Sequence, residues 1–423
     1  MPPMRLLLFA AATSLLAAGC ACSPVPAEDA GVDASVEEPD AGPIDAGQDA
    51  GIDAGEDAGL PDAGPFDGGG CVDGFLTTSQ WSTGRPLFVE LGDFDEDGSL
   101  DIVAATTGGL EVRVNDGQGG FFGASRMLGL TPQTLAVSDL DGDGHLDLLC
   151  VDITGDLTAL FGNGDGTFTG IPLDAGQPFY APLETALVDL DADGRADFVT
   201  LDVGGSSPEL KVSRGSFDGG APRASHGSHR LVLADVTGDG LVDALVGNAQ
   251  FGLAVHPGVG DGGFGPRSVF LSSTAVNSVA LADVTGDGVP DAVCASGYFD
   301  NTAGFNLGGG LTVLRGTGTD AGFLPPAQEP SGRDIFWAAL LRDMNLDGTL
   351  DLVTTRFGVA GGLEVHAGND AGTFTQTARV PGRNGWTVAV GALNADAWPD
   401  VVVGTGAGSN GEVRVMLGSG GCL

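Results

Sequence analysis

Between residues 93 and 351 the sequence repeats one nine-residue frame six times, with oxygen-bearing side chains at positions 1, 3, 5 and 9 and glycine at position 6. The copies start at Asp93, Asp139, Asp189, Asp235, Asp283 and Asp343, and an eroded seventh starts at Ala392. The start-to-start spacings are 46, 50, 46, 48, 60 and 49 residues, the longest arising from an insertion around Asn301 to Gly310. A period near fifty means one structural unit used seven times. Each unit brackets its loop with apolar stretches, such as Val279 to Leu281 before a loop and Asp147 to Val151 after one. A third stretch follows, such as Leu363-Glu364-Val365-His366, then a Gly-rich turn running into a Phe, as in Gly162 to Phe168. Four short extended segments cannot bury their faces alone, but they can stack radially on like neighbours, which is how a propeller blade is built. The expected fold is all-β, a seven-bladed propeller of four-stranded blades over residues 71–423. The 73 glycines and the shortage of good helix formers agree with a turn-rich β chain.

The frame itself carries chemistry. Carboxylates at positions 1, 3, 5 and 9, a tight turn at the glycine and a carbonyl at position 7 converge hard oxygens on one point, as calcium requires. Copies one to three have all four: Asp93, Asp95, Asp97, Asp101; Asp139, Asp141, Asp143, Asp147; Asp189, Asp191, Asp193, Asp197. Copies four and five put threonine at position 3 (Asp235, Thr237, Asp239, Asp243; Asp283, Thr285, Asp287, Asp291), and copy six puts asparagine there (Asp343, Asn345, Asp347, Asp351). Copy seven replaces position 1 with Ala392 and the turn glycine with Ala397, so about six calcium sites are expected and the seventh loop is expected to hold none. The start of the loop is like an EF-hand, but Ala104 stands where an EF-hand has its bidentate Glu, and the flanks are strands. The competing reading, aspartates that only cap turns, does not call for four acidic groups in mutual contact, which repel without a cation.

These Asp-x-Asp-x-Asp-Gly-x-x-Asp loops with trailing Gly-rich, Phe-containing turns resemble the FG-GAP/VCBS repeats of integrin α-chain propellers and bacterial surface proteins. The resemblance covers residues 71–423. It implies structural calcium sites on the face opposite the one that meets ligands, and a family that spans adhesion modules, lectins and accessory domains of enzymes.

The ends of the array predict how it closes. The last unit stops after its third stretch, Val413 to Leu417, while Gly74 to Thr78 reads as a fourth strand without a blade. The first strand should therefore complete the seventh blade, bringing Cys71 and Cys422 together as a disulfide. Cys150 and Cys294 share a frame position in non-neighbouring units and read as buried small apolar side chains.

Residues 1–19 read as a secretory signal, with Arg5 before the apolar run Leu6 to Leu16. The run ends Leu16-Ala17-Ala18-Gly19-Cys20, which resembles the lipobox of bacterial lipoproteins and implies lipidation at Cys20. Plain secretory cleavage is the alternative, because Ala17 stands where the lipobox usually has Leu. Ala21 after the cysteine implies an outer-membrane lipoprotein, facing the cell surface or the periplasm. Residues 20–70 form a linker of Asp-Ala-Gly triplets; its 13 acidic residues and lack of Lys or Arg beyond Ser23 leave nothing to drive collapse.

The whole chain has 17 Lys and Arg against 57 Asp and Glu, a net charge of −40, which excludes nucleic acid as a partner. No nucleophile elbow, Cys/His pair or phosphate loop is present, and the carboxylates are committed to the frames, so the chain reads as non-enzymatic. A protein or polysaccharide of the cell envelope is the expected partner of a monomeric binding or adhesion module. The alternative is a carbohydrate-active enzyme of the polysaccharide-lyase kind, or a lectin. Candidate ligand-face residues are Tyr298 and Phe299 on the insertion, with Tyr180, Trp81, Trp337, Trp386, Arg333 and Arg383, because aromatic and arginine side chains dominate binding hot spots. Trp337 and Trp386 stand six residues before their frames, in line with apolar core positions, so packing between blades competes with ligand contact there.

Overall fold

The computed structural model describes residues 75–121, 126–127, 130–152, 154–173, 182–202, 209–217, 230–248, 252–272, 274–300, 305–320, 322–326, 334–358, 361–407 and 410–419. Cys20, the acidic linker, Cys71, Tyr180, Arg333 and Cys422 lie outside the described residues.

The strands follow the frames. After β1 (Phe75–Gly84), the first blade is β2 (Pro86–Gly92), β3 (Asp101–Thr106), β4 (Gly109–Arg113) and β5 (Arg126–Met127). Blade two is β6 (Pro132–Ser138), β7 (Asp147–Asp152), β8 (Leu157–Gly162) and β9 (Phe168–Leu173). Blade three shows β10 (Pro182–Val188), β11 (Ala196–Asp202) and β12 (Glu209–Phe217). Blade four is β13 (Leu231–Ala234), β14 (Asp243–Asn248), β15 (Gly252–His256) and β16 (Ser268–Val269). Blade five shows β17 (Val276–Ala282), β18 (Asp291–Asp300) and β19 (Phe305–Leu314), and blade six is β20 (Ile335–Arg342), β21 (Asp351–Phe357), β22 (Gly362–Ala367) and β23 (Thr375–Pro381). Blade seven takes β24 (Gly385–Gly391), β25 (Asp400–Ala407) and β26 (Asn410–Gly418) from its own repeat and β1 from the start of the domain, in the order β1-β26-β25-β24. Phe75 pairs with Gly418 and Gly84 with Asn410, so the array closes as the unmatched ends of the sequence require.

The first strands of the seven blades neighbour one another in a closed ring, β2, β6, β10, β13, β17, β20, β24 and back to β2. They line the axis. Apolar side chains on both faces of the strands pack into seven cores, one in each seam between adjacent blades. In the closing seam Val89, Leu91, Ile102 and Ala104 of blade one meet Val402, Val413 and Val415 of blade seven. Burial on both faces explains the nearly unbroken apolar second strands, such as Asp101–Thr106, where every residue is buried. Cys150 and Cys294 are free and buried, and burial pushes both thiols up to about 12, so they behave as inert packing groups.

One irregularity recurs. In six blades the first strand carries a β-bulge at the same frame position, six residues before the loop: Leu87, Gln133, Leu183, Asn277, Trp337 and Trp386. A bulge inserts one unpaired residue and re-aims its side chain. The hairpin loop lies at the other end of the same strand, about 20 Å away at 3.3 Å per residue.

Candidate functional site

The six frame loops share one backbone. Positions 4 and 6 are both left-handed: Glu96, Gly142, Ala192, Gly238, Gly286 and Leu346 at position 4, and Gly98, Gly144, Gly194, Gly240, Gly288 and Gly348 at position 6. Glu96, Ala192 and Leu346, at φ of 59°, 57° and 59°, hold a conformation that side-chain-bearing residues seldom adopt. Carboxylates turned onto the main chain hold the turn in place. The position-1 carboxylate accepts the N–H of the position-6 glycine at 2.7–3.0 Å in all six copies. The position-5 carboxylate accepts the N–H of position 7 at 2.8–2.9 Å.

The aspartate at position 9 has a role that the loop pattern does not reveal. Its Oδ2 accepts the N–H of position 2 at 2.6–3.1 Å in all seven copies. In six of them its Oδ1 accepts an N–H at the end of strand three, from Asn115, Gly162, Gly258, Gly316, Gly368 or Gly418, at 2.7–2.9 Å. It pins hairpin and third strand together, which explains why copy seven keeps Asp400 while losing positions 1 and 6. Among the described residues neither Ala395 nor Ala397 is left-handed, so the seventh loop has relaxed out of the common turn.

Cation chemistry fits the six intact loops. In copies one to three, carboxylate oxygens of positions 1, 3 and 9 (Asp93, Asp95, Asp101; Asp139, Asp141, Asp147; Asp189, Asp191, Asp197) lie within 4.8 Å of one another. Position 5 falls outside these groups, its carboxylate being turned toward the position-7 N–H. Burial, helped by like charges at positions 1 and 3, pushes Asp101 up to about 7, and burial with Asp141 and Asp143 nearby pushes Asp147 up to about 6. Three buried oxygens in the loops have no hydrogen-bond partner: Asp93 Oδ1 and the position-3 hydroxyls of Thr237 and Thr285. Unpaired buried oxygens beside crowded carboxylates are costly unless a cation meets them. Calcium there would supply charge neutralisation and a fixed loop shape.

Loops one, four, five and seven also touch the next blade. Gly166 in the third-to-fourth-strand turn of blade two donates its N–H to Phe94 O of loop one at 2.8 Å. Gly318 of blade five lies against Gly238 of loop four, and Gly372 of blade six lies against Thr285 of loop five. At the seventh loop the link is a side chain: Asn115 Nδ2 donates to Leu393 O at 2.8 Å and to Leu100 O at 3.0 Å.

At the opposite end of the first strands, the bulged residues surround a cavity of about 220 Å³. Leu87, Gln133, Leu183, Asn277, Trp337 and Trp386 line it together with Arg85, Glu184 and Arg230. The two indoles meet edge to face at 4.9 Å, and Phe357 joins them at 5.9 Å and 5.3 Å. Trp386 Nε1 donates to Gly406 O at 3.1 Å. Arg85 stacks on Trp386 at 4.9 Å, and Arg230 of blade four reaches Trp337 of blade six at 5.2 Å. Burial lowers the pKa of Arg230, while Glu184 opposes the shift; an arginine remains charged through the neutral range. Glu184 itself is buried and accepts the N–H groups of Arg230 and Leu231.

A family model described as an FG-GAP-like repeat matches residues 139–200 and 235–294. The chain carries FG-GAP-like repeats. Both matched spans begin at a frame loop, so the repeat and the hairpin site are one feature. No curated protein matches the chain. Among solved structures, the BP39L lectin from Burkholderia pseudomallei is similar at 17% identity and a TM-score of 0.54, over 81% of this chain and 98% of that one. An Agrocybe aegerita lectin described as recognising non-reducing terminal N-acetylglucosamine is 20% identical at a TM-score of 0.42, over 78% and 90% of the two chains.

The FG-GAP frame disperses the expected ligand-face residues. Trp337 and Trp386 are at the channel mouth, half-buried rather than sealed in a core. Trp81 sits in the seam between blades seven and one, its ring over Arg113 at 4.2 Å and near Phe121 at 6.5 Å. Arg383 is exposed and lines a separate cleft with Ser82, Thr83 and Glu412. Tyr298 and Phe299 extend the β18 ladder, opposite Leu307 and Asn306, and their side chains lie outside the described part. Arg230, Phe357 and the bulged Gln133 and Asn277 were missed. A signal for the ring was present: the frame position six before each loop reads Leu, Gln, Leu, His, Asn, Trp, Trp, whereas positions with a structural duty repeat one residue type.

Proposed function

We propose that this FG-GAP propeller is a calcium-stabilised, non-catalytic binding module of the cell envelope, tethered by lipid at Cys20 through the acidic linker. The observation that carries the binding role is the ring of re-aimed residues at the channel mouth. Six bulges deliver six side chains of four types, Leu, Gln, Asn and Trp, to one cavity, at the end of the strands opposite the calcium-type loops. A scaffold repeated for stability and varied at one position is what a recognition site requires, and aromatic and arginine groups are its usual anchors. A glycan or an envelope protein is the partner class. The likeness to the Burkholderia lectin is one of fold and fits a glycan without naming it. The acidic groups hold backbone N–H groups in loops, and Glu184 is bound in the same way, so no poised acid–base pair supports turnover.

Binding of the full chain to a panel of defined polysaccharides and envelope proteins tests this reading. Gln133→Ala, a half-buried ring member with no role in the seams, should weaken retention on the true partner without changing the unfolding midpoint. Unchanged retention, or chain-dependent cleavage of any polysaccharide in the panel, would contradict it. For the anchor, Cys20→Ser should move the protein from the membrane fraction to the soluble one.

A further inference from the structure

Five of the described cations sit on the chain's own carboxylates. Arg113 sits on Glu111, Arg356 on Asp334 and Glu364, Arg379 on Glu364, Arg414 on Glu412 and Lys211 on Asp202. Arg85 and Arg230 differ. Among the described residues no carboxylate lies within ion-pair distance of either guanidinium; each instead lies over an indole, and the buried Nε of Arg85 has no partner. Both line the channel-mouth cavity, where Glu184 is the one acidic side chain among the described residues, its Oε2 already accepting two backbone N–H groups. The described lining of the cavity thus holds one positive charge in excess, within a chain whose net charge is −40.

That excess has a physical meaning. A guanidinium stacked on an aromatic ring keeps its in-plane donors pointing outward, in the fork that matches a carboxylate. The two stacks are coupled, since Trp337 and Trp386 touch edge to face, so Arg230, Trp337, Trp386 and Arg85 form one ladder spanning blades four, six, seven and one. Such a ladder fixes both cations before any ligand arrives and lowers the ordering cost of binding. The rest of the wall is mixed. Leu87 and Leu183 are apolar, and Gln133 adds an uncharged amide. An enclosure of about 220 Å³ suits one compact ring bearing hydroxyls and a carboxylate better than an extended peptide, whose backbone groups would need partners of their own.

We propose that the channel mouth is a receptor for a carboxylate-bearing sugar residue, such as a uronic acid of an acidic polysaccharide, with its carboxylate held by Arg85. This rests on the binding-module reading and gives it a ligand class. The long-range field of the chain repels polyanions, so recognition depends on salt in an unusual sense: added salt screens the repulsion and should not abolish binding at the dry, paired site.

The test is calorimetric titration of the full chain, in calcium, with an oligogalacturonate trimer, its methyl ester, a neutral galactose trimer and a glutamate-containing tripeptide. The acid should bind, and the methyl ester, which removes the charge without touching the protein, should bind at least about tenfold more weakly, the scale of losing a charge-assisted contact. Arg85→Gln should cost a similar factor for the acid and nothing for the ester. Equal binding of acid and ester, preference for the peptide, or no effect of Arg85→Gln would overturn the proposal. Binding of the neutral trimer alone, weakened by Gln133→Ala, would overturn the carboxylate assignment and leave the channel mouth standing as a glycan site. Failure of every saccharide would remove both.

Discussion

At the scale of single residues, threonine at position 3 separates a metal site from a mere turn. Thr237 Oγ1 and Thr285 Oγ1 are buried without hydrogen-bond partners, and an orphaned hydroxyl costs about 1–3 kcal/mol. Thr237→Val keeps the shape and deletes the oxygen. In chelator the variant should be as stable as the parent or more so, because the orphan is gone; in calcium it should be less stable by about 1 kcal/mol, because a ligand is gone. Thermal unfolding in both conditions reads the sign, and a variant stabilised equally in both shows that the hydroxyl binds nothing. Asp400 offers a second residue-scale test, in the one loop that lacks the metal frame. Burial pushes its pKa up to about 6 from an ordinary 3.8. A folded pKa raised in this way contributes stability that is fully present below about pH 4 and lost as pH rises through about 6. With the other loops saturated by calcium, Asp400→Asn should therefore flatten the decline in stability between about pH 4 and 6, by an amount on the order of 2 kcal/mol. An unchanged slope would mean that the decline originates elsewhere.

At the scale of elements, the frame supplied most of the fold. The strand order, the borrowed β1 in blade seven and the loop positions all followed from a fifty-residue period and from the missing fourth strand after Leu417. The bulges were not legible, because a bulge is a property of two paired strands and the sequence shows one strand at a time. For Trp337 and Trp386 the sequence therefore left ligand contact and core packing in competition, and the extra residue in β20 and β24 turns both to the axis. The double duty of Asp101 and its counterparts was hidden for a similar reason. A carboxylate nine residues into a loop reads as a ligand, and its second partner, Asn115 N–H, lies fourteen residues further on. Asn115 also carries a prediction. Its amide ties Leu100 O to Leu393 O across the closing seam, and its Oδ1 accepts N–H groups of Gly117 and Gly119. Asn115→Ala leaves those groups unpaired in a buried turn and should cost about 2 kcal/mol. Denaturant unfolding of the full chain would read the loss, and no loss would mean that the seam is closed by its apolar core alone.

At the scale of the molecule, the two ends of the propeller have different tasks. One end repeats the same hairpin around the ring, with loops one, four and five resting against a turn of the next blade, so a cation that fixed one of them would stiffen two blades. The other end varies around the same ring and encloses the cavity with Arg85 and Arg230. On the proposed function, stability and recognition would be separated along the strands by about 20 Å, which would let the binding end change without disturbing the loops. The central claim is that calcium holds the ring together, and thermal unfolding of the full chain in calcium, magnesium and EDTA tests it most directly. A site at a hundred times its dissociation constant adds about 2.7 kcal/mol, so six sites should raise the midpoint by many degrees in calcium, with little gain in magnesium, which demands a rigid octahedral shell and dehydrates reluctantly. Coincident midpoints in all three solutions would contradict the account.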